Sequence, residues 1–139
     1  MKLKTITQEI FFPNVNAATL FELYTNQAKH IEVTRAPAII TDKLGEPFNL
    51  YNGFCFGENI ELKKNRLIIQ SWRTDKWPDG VDDSIVVIRL IEEGKDTYLY
   101  LTHADLPEEM AESLSNGWKE FYWDKWKNYL AIKSESINN

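Results

Sequence analysis

Gly117 to Leu130, GWKEFYWDKWKNYL, holds six of the chain's eighteen aromatic residues: Trp118, Phe121, Tyr122, Trp123, Trp126 and Tyr129. Wound at about 100° per residue, the stretch is a helix with a broad aromatic face. Leu114, Trp118, Phe121, Tyr122, Trp126, Tyr129 and Leu130 fall on one side of the wheel, and Glu120, Asp124, Lys127 and Asn128 on the other. Lys119 and Lys125 intrude on the apolar side, where their long stems let the charges snorkel outward. Each buried aromatic removes about 150–250 Å² from water, so this helix requires a large apolar partner. Upstream, Asp105 and Glu108 are expected to form a capping box around Pro107. Gly117 is expected to interrupt the first turns and move the long helix's start toward Ser115.

The partner is written earlier in the chain. Residues 2–12 alternate, with Ile6, Ile10 and Phe12 on one face and Thr5, Thr7 and Glu9 on the other, which predicts a strand ending at Pro13. Asn14 or Asn16 is placed to cap a short helix carrying Leu20, Phe21 and Tyr24, and Thr25 or Asn26 a second one through about Val33. From Ala38 to about Asp105, alternating runs at 38–42, 47–51, 54–63, 66–74, 84–92 and 96–104 are separated by turn residues. Asn52-Gly53 is the strongest hairpin signal, because both residues tolerate positive φ. Val86, Ile88 and Leu90 share one face of their run and Ile85, Val87 and Ile91 the other, which predicts a strand covered on both sides. Strands joined by short turns pair antiparallel. The expected fold is therefore α+β: a curved antiparallel sheet of about seven strands around a long C-terminal helix, with two short helices after the first strand. A single domain over residues 1–139 is expected.

Composition narrows the functions. A chain of 139 residues buries roughly two thirds of the surface it exposes when unfolded, so it needs neither disulfide nor metal to hold a core. Cys55 is the one cysteine, and with two histidines it makes no recognisable zinc site. No cofactor or metal is expected, and no serine or cysteine has a base that sequence can identify, so no catalytic residue is assigned. The net charge of −5 argues against nucleic acid, whose affinity comes from neutralising phosphates. The N-terminus lacks the apolar core of a signal peptide, and no run approaches the ~20 residues of a membrane span. A cytoplasmic protein with no membrane partner is the expectation.

Phe48-Asn49-Leu50-Tyr51-Asn52-Gly53 with Gly57, Ile69 through Trp72-Arg73, Trp77-Pro78 with Gly80 and Ser84, Thr97 with Leu99 and Leu101 before Pro107, and Gly117-Trp118 followed by Tyr122-Trp123 form an ordered set. In this order and spacing it resembles the START-like (SRPBCC) superfamily, with its helix-grip fold. More narrowly it is similar to the C-terminal domain type of the activator of heat-shock-protein-90 ATPase. The resemblance implies a non-catalytic binding protein that takes a small apolar ligand between sheet and C-terminal helix. It implies two alternatives: a chaperone partner whose ATPase is modulated, and a cavity enzyme of cyclase or aromatase type using His103 with Tyr98 or Tyr100.

The cavity candidates are Tyr51, Phe54, Phe56, Trp72, Tyr98, Tyr100, His103, Trp118, Tyr122 and Trp126. These rings either fill the grip or leave a ligand-sized gap, and their polar tips need partners if buried. His103 faces the same way as Leu99 and Leu101, which favours a hydrogen-bonded structural histidine. Arg73 points away from Trp72 on its strand and is expected to stack on Trp77, making Arg73 and Trp77 candidates for a partner surface. Arg89 lies between Val87 and Ile91 and is expected to pair with an acidic neighbour.

Overall fold

The computed structural model describes the backbone of residues 1–138 and the side chains of residues 1–134. Seven strands, β1 (Leu3–Phe12), β2 (Ala38–Ile39), β3 (Pro47–Leu50), β4 (Cys55–Lys63), β5 (Leu67–Thr74), β6 (Ser84–Glu93) and β7 (Asp96–Pro107), form one sheet in the order β1-β7-β6-β5-β4-β3-β2. All pairings are antiparallel, and the first strand closes on the last with Ile10 opposite Leu99. Helices α1 (Ala17–Thr25) and α2 (Gln27–Thr34) follow β1, and α3 (Ala111–Trp118) and α4 (Asp124–Asn138) end the chain. This is the helix-grip fold.

Asparagine does the local work at the first two helices. The Asn16 side chain accepts the Thr19 N–H at 2.9 Å, satisfying an orphan donor of the first turn. Asn26 serves twice: its N–H donates to the Glu22 carbonyl as α1 ends, and its side chain accepts the Lys29 N–H as α2 begins. At the end of α2, Arg35 turns left-handed (φ 59°), and Lys125 of α4 donates to the Thr34 carbonyl at 2.8 Å. A cation at a helix C-terminus meets its negative end, and here it also ties α4 to α2.

The core lies between the inner sheet face and the helices. Phe12, Ile68, Val86, Ile88, Leu99, Leu101 and Trp126 are all at most 1% exposed. Each such aliphatic or aromatic side chain contributes about 1.5–3 kcal/mol by leaving water. The Trp126 ring meets Phe12, Tyr24, Tyr122 and Trp123. Its indole N–H is the one buried side-chain group without a hydrogen-bond partner among the described residues.

Three local expectations are corrected. Asp105 is left-handed (φ 63°) and β7 continues to Pro107, so no capping box forms; a 3₁₀ turn (Glu108–Met110) leads into α3, which has no side-chain cap. Gly117 does not interrupt the helix. The irregularity follows it as a π turn over Lys119–Trp123. In an α-helix residues 118 and 123 would stand about 140° apart. Widening the turn brings both inward, and the Trp118 and Trp123 rings stack at 5.6 Å and 14°. The Trp123 N–H then donates to Gln8 of β1 at 2.6 Å, and Gln8 in turn donates to the Ser115 carbonyl. Finally, β6 is covered on one side only. Ile91 is 45% exposed and Arg89 lies beside it in the open, with no ion pair among the described residues.

Candidate functional site: an aromatic cavity beside the C-terminal helix

A cavity of about 190 Å³ opens between the C-terminal helical segment and the β3–β4–β5 end of the sheet. Its sheet-side wall is Tyr51, Phe54, Cys55 and Trp72; its helix-side wall is Ser113, Leu114, Gly117, Trp118, Phe121 and Tyr122. The β3–β4 turn sets the rim. Tyr51, Asn52 and Gly53 are successively left-handed (φ 53°, 54° and 88°), so the chain reverses within Tyr51–Phe54. Phe54 is left 45% exposed at the rim, facing Phe121 at 43%. The Tyr51 hydroxyl donates to the Phe121 carbonyl at 2.6 Å, pinning the turn to the π turn.

The buried polar tips of the cavity wall are satisfied from within. His30 Nδ1 faces the Tyr24 carbonyl at 2.7 Å, and a carbonyl only accepts, so Nδ1 carries the proton. Nε2 is then a lone pair, and Tyr122 donates its hydroxyl to it at 3.0 Å. The same logic fixes His103. An indole only donates, so Trp118 Nε1 gives its proton to His103 Nδ1 at 3.0 Å. His103 Nε2–H therefore donates to Ser84 Oγ at 2.8 Å, and the serine donates to the Trp72 carbonyl at 2.6 Å. Burial pushes His30 down to about 4 and His103 to about 3, so both imidazoles are neutral at pH 7. Burial also pushes the Cys55 thiol up to about 12, which keeps it protonated.

Of the sequence-derived cavity residues, the fold brings Tyr51, Phe54, Trp72, Trp118 and Tyr122 to one wall-lined space. His103 sits behind that wall, its ring edge-on to Trp72 at 4.6 Å. Trp126 lies deeper, in the core against Phe12 and Tyr24. Phe56, Tyr98 and Tyr100 are corrected: they project from the outer face of the sheet. The pleat dictates this, since neighbours on a strand point oppositely and Cys55, Leu99, Leu101 and His103 point in. Tyr98 and Tyr100 stack on each other there, with Phe11 beside Tyr98. A catalytic pairing of His103 with either tyrosine is therefore across the thickness of the sheet.

The partner-surface pair is corrected as well. Trp77 is only 8% exposed; its N–H donates to the Asp82 carbonyl and its ring stands edge-on to Trp72. Arg73 does not stack on it. The guanidinium bridges the Asp83 carboxylate and the Val81 carbonyl, both at 2.5 Å, and so buckles the loop shut over Trp77.

Sequence reading missed Cys55, Ser113, Leu114, Gly117 and Phe121 as lining residues, and missed the buried relay from Tyr24 through Gln70 to Asn59. Tyr24 donates to Gln70 at 2.8 Å, and Gln70 to Asn59 at 2.9 Å. Asn59 reaches the Thr41 and Lys43 carbonyls. The inward alternation of Gln70 between Ile68 and Trp72 was the available signal.

Fold and cavity together define a helix-grip, START-like domain. The chain belongs to the family described as Activator of Hsp90 ATPase homolog 1-like protein, which matches residues 14–131. An activator of 90 kDa heat shock protein ATPase homolog from Dictyostelium discoideum is 24% identical over 115 residues, 83% of this chain and 30% of that protein. The human homolog 1 is 26% identical over 105 residues, 76% of this chain and 31% of that protein. The chain thus spans less than a third of the length of these curated relatives. Among solved structures, PFC0360w, an HSP90 activator from Plasmodium falciparum, superposes with a TM-score of 0.83 at 24% identity, covering 91% of this chain and 96% of that one. CalU16 from Micromonospora echinospora gives 0.78 at 23%, covering 97% and 81%.

Proposed function

We propose that this domain binds a small apolar molecule in the cavity beside α3 and performs no chemistry on it. The observation that carries the reading is a space walled by Tyr51, Phe54, Trp72, Leu114, Trp118 and Tyr122. Apolar concavities of this kind hold ligands by removing apolar surface from water. The non-catalytic part rests on His103, whose two nitrogens are both engaged, and on a Cys55 thiol held protonated. The test is a thermal-shift screen with small apolar and aromatic compounds, followed by native mass measurement of the hits. A ligand at about 100 times its Kd adds about 2.7 kcal/mol of stability, which raises Tm by several degrees in a domain of this size. No rise and no added mass across the screen rejects the proposal.

A second reading is favoured by the relatives. Several are named as activators of a heat-shock-protein-90 ATPase, and PFC0360w has nearly the same extent as this domain. Under it, the domain docks on such a chaperone and raises its ATP turnover. Adding the protein to purified chaperone is expected to increase the ATPase rate in proportion to occupancy. An unchanged rate at saturating protein removes this reading and leaves ligand binding untouched.

A further inference from the structure

We infer that the cavity selects a neutral molecule about the size of one substituted aromatic ring, and that Gly117 is the position that sets this limit; the inference rests on the ligand-binding reading above. Size comes first. An apolar cavity of about 150 Å³ accepts benzene. The present 190 Å³ has room for a ring with a short substituent. It falls below the roughly 300–1,000 Å³ of sites that take drug-sized ligands.

Charge and polarity come from the spent tips of the wall. The Tyr51 hydroxyl proton goes to the Phe121 carbonyl, the Tyr122 proton to His30 and the Trp118 N–H to His103. A ligand carboxylate entering here loses its water and finds none of these three donors free; the exposed Ser113 hydroxyl at the rim is a single neutral donor, too little to replace a carboxylate's hydration. Aromatic walls attract cations, yet no carboxylate lines this one. The Lys125 ammonium also already stands 5.4 Å from the Tyr51 ring and 5.8 Å from the Phe121 ring. That charge repels a second cation. A neutral ring meets neither penalty.

Gly117 has no backbone reason to be glycine. It lies inside α3 and is not among the residues of positive φ, and glycine is a poorer helix former than alanine. A Cβ built there touches only Phe121 Cδ2, at an ordinary 3.7 Å. Gly117 itself lines the cavity, so a side chain there borders the space and can take up part of it. The missing side chain is what leaves room for a ring.

The experiment titrates the full chain with four probes, toluene, benzoate, benzyltrimethylammonium and palmitate, and follows the Trp118 and Trp72 indole N–H signals by NMR. Saturable shifts with toluene, and at least tenfold weaker binding of the other three, are expected. Gly117→Leu is expected to weaken toluene at least tenfold. Gly117→Ala, which adds one methyl and favours the helix, should raise Tm while weakening toluene more mildly. Tighter binding of benzoate, benzyltrimethylammonium or palmitate than toluene overturns the selectivity while leaving ligand binding itself standing. Undiminished toluene binding by a folded Gly117→Leu protein overturns the role of Gly117. Failure of all four probes to bind overturns this inference, and the ligand-binding reading falls with it if the broad screen is also empty.

Discussion

Gly57→Ala is expected to destabilise the domain by about 3 kcal/mol or more, the cost of forcing an atom into a packed site whose obstacle cannot swing away. A Cβ at this position would lie 1.9 Å from the Ser71 carbonyl oxygen and 2.7 Å from its carbonyl carbon. Both are backbone atoms of β5, so no side-chain rotation relieves the clash. The Phe48 ring, 3.0 Å away, closes the other direction. Relief requires β4 and β5 to separate, and the pairs at risk are Phe56 with Arg73 and Asn59 with Gln70. The hydrogen bond from the Glu58 N–H to Ser71 Oγ goes with them. Since Trp72 follows Ser71, the cavity wall moves too. Urea unfolding of the variant beside the parent measures the effect, and a loss under about 1 kcal/mol would show that the strands yield more easily than their geometry implies.

Acid is expected to unfold the protein earlier than its carboxylates alone would require. His30 and His103 ordinarily titrate at 6.5, and burial lowers them to about 4 and about 3 in the folded state. Between about pH 6.5 and 4 the unfolded chain binds a proton at each histidine and the folded chain does not. Stability therefore is complete above 6.5 and falls as pH falls through this window. Each histidine contributes a slope of about 1.4 kcal/mol per pH unit, so the pair removes about 4 kcal/mol by pH 5. That is a large share of the ~5–15 kcal/mol by which domains are stable. The cause is burial of both rings, which disfavours the charged imidazolium. At His103 protonation also aims a new Nδ1–H at the Trp118 indole, which only donates, whereas the Tyr122 hydroxyl facing His30 Nε2 can turn to accept. Urea curves at pH 7, 6 and 5 isolate the effect, because Asp and Glu titrate mostly lower. Stability that stays level from pH 7 to 5 would refute it.

Much of this was legible without a fold. Strand alternation gave the seven-strand order within a residue or two at most ends, since the pleat forces a period of two wherever one face is buried. Capping residues at 14 or 16 and at 25 or 26 announced the short helices because a capping oxygen is a local device, and the structure uses Asn16 and Asn26. The failures have one pattern. Tyr98, Tyr100 and Phe56 were grouped with the cavity by residue type, though their own strands' alternation turned them outward. Trp77 is a partner-surface candidate by sequence, yet it is 8% exposed, and Arg73 and Asp83 draw its loop shut.

The aromatic stretch at 117–130 marks the division. Its spacing by itself determined that a helix with a wide apolar face would end the chain and be gripped by the preceding strands, because burying so many rings leaves no other stable arrangement. Only the tertiary structure decided that the helix widens into a π turn at 119–123, where Trp123 reaches Gln8 and Tyr51 holds the Phe121 carbonyl. Only it placed Gly117 on the wall of a space between the helix and the sheet. Helical periodicity is a property of neighbours along the chain. The extra residue in a turn is fixed by partners 70 and 115 residues away.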